Sequence, residues 1–152
     1  MYIIYHDVGG TYGPIIAAAI HLKRLPLDQI PEKSDLEKLI STNGFQPGPD
    51  GRLIFHGKDS NGHQVYSLGR KHAPAMFHNA FKSIITISKT DLKELIYTDT
   101  MEAANLMMVL GGRYARKAGL SSLGKPLLTA GILRAYPEIS SIVWKTLLKT
   151  EP

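Results

Sequence analysis

The sequence predicts an α/β fold: a single three-layer domain over residues 1–152, with a mixed, mostly parallel sheet flanked by helices on both faces. Three observations carry this. Short β-branched and aromatic runs alternate with longer stretches of helical periodicity, the order that builds parallel sheets through crossover helices. Polar turns close the strand-like runs and lead into helices. Two central strand-like runs are separated only by Gly57-Lys58-Asp59-Ser60-Asn61-Gly62, residues that tolerate positive φ or form side-chain turns, so at least one pairing is antiparallel.

Tyr2 to His6 is a β-branched and aromatic run bounded by Asp7-Val8-Gly9-Gly10, and it reads as an interior strand. Pro14 suits a first helical position, and Ile15, Ala18, Ala19 and Leu22 repeat on one helical face. Because Ile16, Ala17 and Ile20 make the other face apolar too, this helix is expected to be largely buried, its alanines allowing close approach to the sheet. Ser34-Asp35-Leu36-Glu37 has capping-box spacing, and Leu36, Leu39 and Ile40 give a short surface helix closed by Asn43-Gly44. Phe45 to Gly51, broken by prolines and glycines, is a loop.

Arg52 to His56 and His63 to Leu68 form the two arms of a hairpin. After Gly69-Arg70-Lys71-His72, Pro74 opens a long amphipathic helix marked by Met76, Phe77, Ala80, Phe81, Ile84 and Ile85. Glu94 to Thr98 is a further strand, ending at Asp99-Thr100, and a helix from about Met101 to Lys117 follows until Gly119 stops it. Pro126 opens another helix through Leu133, Pro137 interrupts it, and Ile139, Ile142, Val143 and Leu147 trace a last helical face.

With 152 residues, 43% of them hydrophobic and 20% charged, the chain can bury its own core. It has no cysteine, which excludes disulfides, thiolate metal sites and cysteine nucleophiles and leaves a cytoplasmic location as the expectation. The N-terminus lacks the pattern of a signal peptide, and the apolar run from Ile15 to Ile20 falls far short of the roughly 20 residues of a membrane span, so no membrane partner is expected. A net charge of +5 favours acidic partners. Arg113, Arg116, Lys117, Lys125 and Arg134 gather in the C-terminal third, either as cations suited to a helix end or as a surface for nucleic acid or protein.

The opening strand, Gly9-Gly10-Thr11 and Ala17-Ala18-Ala19-Ile20-His21-Leu22 resemble a bacterial family known only as domain of unknown function 3189. So do Val65-Tyr66-Ser67-Leu68-Gly69-Arg70, Thr98-Asp99-Thr100, Asn105-Leu106-Met107, Gly111-Gly112 and the run from Leu120 to Leu127, in the same order. The resemblance spans nearly the whole chain. It implies membership of an uncharacterised group often found in spore-forming organisms and brings no activity, substrate or cofactor. Two departures matter: Asp7 stands where the family typically has a cysteine, and Tyr12-Gly13-Pro14 where it has His-Ser-Ser.

The turn from His6 to Gly13 joins the first strand to a helix, so Gly9, Gly10 and Thr11 can bring backbone N–H groups to a phosphate or carboxylate at the positive end of that helix. The turn has no Walker lysine and lacks the dinucleotide spacing, which disfavours ATP hydrolysis. Equally, two adjacent glycines can be a purely conformational requirement. His6, Asp7 and Asp99 close two strands, at the edge where open α/β sheets place ligands. On neighbouring strands they would form an acid–base or metal-binding group, while Asp99 alone would serve as a helix cap. Arg70, with Lys71 and His72, could bring positive charge to the same crevice or lie in a solvated turn. Asn105, polar among apolar neighbours, either ties its helix to a neighbouring segment or touches a ligand.

The expectation is therefore binding of a phosphorylated or otherwise anionic small molecule, with acid–base or hydrolytic chemistry if any. A non-catalytic regulatory or interaction domain acting through the basic C-terminal third is the alternative. These residues specify neither a cofactor nor a metal.

Overall fold

The computed structural model of the chain describes residues 1–9, 11–42, 45–48, 50–71, 73–88, 91, 94–117 and 119–150. The strand richest in β-formers, β1 (Tyr2–Asp7), lies inside a four-stranded sheet and is buried from Ile3 onward. It pairs in parallel with β3 (Gln64–Gly69) on one side and with β4 (Leu95–Asp99) on the other. β2 (Leu53–Lys58) adds antiparallel to β3, giving the order β2-β3-β1-β4. The hairpin and the mixed sheet are as the sequence predicts. Because β1, β3 and β4 run the same way, their C-terminal ends share one edge, where His6 stands opposite Leu68 and Asp99 and Asp7 opposite Gly69.

Helix α1 (Gly13–His21) is buried at all nine positions, as its two apolar faces require, and packs on β1, β3 and α5 (Ser121–Leu148). Between them lies the core, with Ile3, Tyr5, Ile16, Val65, Ile132 and Ile139 among its members. α2 (Lys33–Ile40) buries Leu36 and Ile40. α3 (Pro74–Ile87) is more exposed; its His78 and Phe81 rings approach Tyr97 of β4 at 6.0 and 5.7 Å. α4 (Leu106–Ala115) lies along α5. No helix among the described residues is long and apolar enough to cross a membrane.

Three expectations are corrected. The capping box at Ser34 does not form: α2 starts two residues earlier, with extended Glu32 at its N-cap and no side-chain cap, so Ser34 already sits inside the first turn. The helix from Met101 to Lys117 is two pieces, a 3₁₀ turn at Met101–Ala103 and then α4, which ends at Ala115. Ala104 and Asn105 are extended between the two, and the Asn105 side chain caps α4. Finally, Pro126 and Pro137 neither open nor interrupt a helix but lie within α5. Both rings face solvent, and buried Leu128, Ile132, Ala135, Tyr136 and Ile139 hold the helix to the core across the two missing N–H groups.

α4 and α5 approach so closely that glycines form their contact. A Cβ at Gly131 would stand 2.6 Å from the Met108 nitrogen, and Cβ atoms at Gly111 and Gly124 would strike the backbones of Leu128 and Ala115. Alanine favours a helix over glycine by about 0.8–1 kcal/mol, yet Gly124→Ala is expected to destabilise the protein by about 1–3 kcal/mol in urea unfolding. A neutral or stabilising effect would contradict the close approach.

Candidate functional site

The shared strand edge is built by extending the sheet ladder past the strand ends. The Arg70 N–H donates to the Asp7 carbonyl at 2.8 Å and the Thr100 N–H to the His6 carbonyl at 2.9 Å. Arg70 is thereby aimed back across the end of β1, and its guanidinium, almost wholly buried, joins the other two strands. Its Nε donates to His6 Nδ1 at 2.9 Å, its Nη2 to Asp99 Oδ2 at 2.6 Å and its Nη1 to the Lys71 carbonyl at 3.2 Å. The other Asp99 oxygen accepts from the Met101 N–H at 2.8 Å, so Asp99 both caps the following 3₁₀ turn and anchors Arg70. His6 also stacks on the Tyr97 ring at 3.7 Å.

Since His6 Nδ1 accepts from Arg70, its neutral ring carries the proton on Nε2. Burial holds its pKa down at about 4; Asp99 opposes that shift, while Arg70 and His78 reinforce it. The 3.9 Å approach of His6 to Asp99 is therefore not an ion pair at neutral pH.

Asp7 is almost completely buried; it accepts from the Gly9 N–H at 2.7 Å and from the Thr11 hydroxyl. Burial pushes its pKa up to about 7; the Gly9 N–H and Arg70 pull it down, and the charges of Asp99 and Asp50 push it further up. Behind it is a cavity of about 20 Å³, lined also by Thr11, Arg52 and Ser67, with room for one water.

Above the turn sits Asp50, from the loop before β2. A Cβ at Gly9, where φ is +105°, would stand 2.5 Å from Asp50 Oδ1, and one at Gly69 would stand 3.3 Å from it. Gly9 therefore has no room for a side chain beneath the carboxylate, and at Gly69 a Cβ would also crowd the Gly9 Cα at 3.1 Å. Asp50 Oδ2 pairs with the exposed Lys71 ammonium at 3.5 Å. Lys71 has φ +51°, one of two non-glycine residues in the left-handed region among those described.

Of the residues singled out in the sequence, the structure brings His6, Asp7, Gly9, Thr11, Arg70 and Asp99 to one rim. Gly10 and His72 lie outside the described residues. Asn105 belongs to another contact: its oxygen accepts from the Met108 N–H at 2.9 Å and its nitrogen donates to the Gly131 carbonyl at 2.8 Å, tying α4 to α5. Among the described residues no group of three or more His, Asp or Glu side chains is placed to hold a metal ion. Sequence reasoning missed Asp50 and Tyr97. Tyr97 shares a strand face with Asp99, an alternation that could have flagged it. No local signal marks Asp50, since its partners lie far along the chain at Gly9 and Gly69.

Fold and site together define an α/β protein with an ionic rim, built around one buried arginine, at the C-terminal ends of three parallel strands. More particularly, the chain belongs to the family described as Protein of unknown function (DUF3189), whose pattern it matches over residues 2–147. No curated protein and no solved structure gives a significant match.

Asp7 provides a pH test. Its pKa rises from 3.8 unfolded to about 7 folded, so the folded state holds this proton more tightly. Its contribution to stability is full below the unfolded value and is lost as the pH climbs to about 7. Asp7→Asn removes that loss, so the variant should gain on the parent by roughly 2–4 kcal/mol between about pH 4 and pH 8 in urea unfolding. His6 acts oppositely, losing stability as pH falls from 6.5 towards about 4, but it is present in both proteins and cancels. A difference that stays constant with pH would contradict the raised carboxyl.

Proposed function

We propose that the protein, a single cytoplasmic three-layer domain with helices on both sheet faces, binds a phosphorylated or otherwise anionic small molecule at the strand C-terminal edge. The observation that carries this reading is the convergence of His6, Arg70 and Asp99 from three parallel strands, with Lys71 at the mouth. The turn leads from this rim into α1, whose first turn is buried, with the Gly13 N–H given to the Thr11 hydroxyl oxygen and Pro14 bringing no N–H, so the donors for an anion are those of Arg70 and Lys71 rather than the helix end. Three of the five Arg70 N–H donors are used among the described residues, which leaves two for a ligand.

In this arrangement Asp50 is the anion at the rim. A ligand enters by taking its place against Gly9 and Gly69 and at Lys71. Proton transfer, in an acid–base or hydrolytic reaction, would pass through Asp7, whose pKa of about 7 suits either direction near neutral pH. His6, neutral and fixed by Arg70, would offer its Nε2–H as a hydrogen-bond donor.

The second reading rests on a different surface. Arg113, Lys117, Lys125 and Arg134 are exposed on and between α4 and α5, together with Leu120 and Leu123, a combination that suits a non-catalytic interaction domain contacting protein or nucleic acid.

Thermal-shift titration with inorganic phosphate and phosphorylated small molecules separates the two. A ligand at about a hundred times its Kd should stabilise the fold by roughly 2.7 kcal/mol. Arg70→Ala should abolish the response, Lys71→Ala weaken it, and Asp50→Ala lower the Kd severalfold. No response in either the parent or Asp50→Ala, with binding to nucleic acid that falls steeply with salt, would instead support the interaction domain.

A further inference from the structure

At the opposite edge of the sheet, the C-terminus of α1 meets the β2–β3 turn. Asp59 organises this corner: its Oδ1 accepts the N–H groups of Asn61 and His63 at 2.9 and 2.8 Å. Its Oδ2 faces His63 Nδ1 at 2.9 Å and His21 Nε2 at 3.3 Å. His21 Nε2 thus carries a proton towards Asp59, and its Nδ1 accepts from the Tyr5 hydroxyl at 2.7 Å. Burial keeps His21 below its ordinary pKa, against the pull of Asp59, so the ring is neutral near pH 7.

This wired floor closes one side of a cavity of about 520 Å³, in the range of small-molecule sites. Lys23, Arg24, Leu25, Leu27, Asp59 and Leu147 are among its lining residues. The first of them is held at φ +56°, immediately beyond the helix end, where glycine is the unstrained choice. The Lys23 side chain is exposed and lines the cavity. Arg24 is fixed beside it, with Nη2 donating to the His56 carbonyl at 3.0 Å and the guanidinium 4.8 Å from the Phe45 ring centroid. Two cations against Asp59 leave the lining with one net positive charge, while Leu25, Leu27 and Leu147 supply a hydrocarbon wall.

We propose that this cavity is a second binding site that takes a small organic monoanion, its carboxylate held by Lys23 and Arg24 and its hydrocarbon body on Leu25, Leu27 and Leu147. One net charge matches a carboxylate better than a phosphate dianion. The site is independent of the anion rim, which lies at the other end of the strands.

The test is a calorimetric and NMR titration of the full chain with hexanoate, with hexan-1-ol and with inorganic phosphate. Hexanoate should bind saturably at millimolar concentration and shift the Leu27 and Leu147 methyl signals, with hexan-1-ol and phosphate perturbing those signals far less. Lys23→Gly should raise the Tm of the ligand-free protein, because glycine suits that φ, while weakening hexanoate about fivefold, the scale of one partly exposed ion pair. Lys71→Ala, at the rim, should leave hexanoate affinity at the parent value. Equal affinity for hexanoate and hexan-1-ol, unmoved Leu27 and Leu147 methyls, or parent-like binding by Lys23→Gly would overturn the proposal.

Discussion

The Arg70 guanidinium is the constraint on which the candidate site depends. It reaches from the end of β3 across β1 to β4, so one buried cation links a neutral histidine to a carboxylate and sets the geometry of three strand ends. A cation in that position must be compensated, because desolvating an unpaired guanidinium costs several kcal/mol. Asp99 supplies the charge, and its second oxygen is fixed by the Met101 N–H. Strand order, the turn after β4 and the tautomer of His6 therefore form one connected arrangement.

Burial, with the charges around that arrangement adding to it, sets the unusual state of Asp7. Three carboxylates, Asp7, Asp50 and Asp99, face two cations, Arg70 and Lys71. Asp99 and Asp50 hold the direct ion pairs, and Asp7, the most deeply buried of the three, relieves the excess by retaining a proton to unusually high pH. Any anion arriving at the rim raises the same imbalance again, and it can be met in two ways, by withdrawing Asp50 or by protonating Asp7. In the proposed site, ligand entry and proton uptake would thus be coupled through ordinary electrostatics.

Much of this was legible in the residues. The doubly apolar pattern around Ile15 to Ile20 predicted a buried helix, and the strand-turn-helix rhythm predicted that His6 and Asp99 would close strands of one sheet. What was hidden depends on distant partners or on packing. Pro137 reads locally as a helix breaker, yet flanking core residues carry α5 through it. Asn105 reads as a polar interruption within a helix, whereas the chain breaks just before it and makes it the cap. The Asp59 cluster joins residues from two elements through one carboxylate, and the isolated histidines around it give no local hint. Asp50 reads only as part of a proline- and glycine-rich loop, because its meaning lies in the two glycines it covers.

The place of β1 in the sheet has a consequence for how the chain is made. β1 has neighbours on both sides, and both come later in the chain, beginning only at Gln64 and Leu95. Until most of the polypeptide has been synthesised, Ile3, Ile4 and Tyr5 have no sheet to enter, and long-range parallel pairing of this kind is intrinsically slow. A growing chain therefore carries this apolar strand unpaired until its partners have followed it, and an unpaired apolar strand is prone to association with other chains.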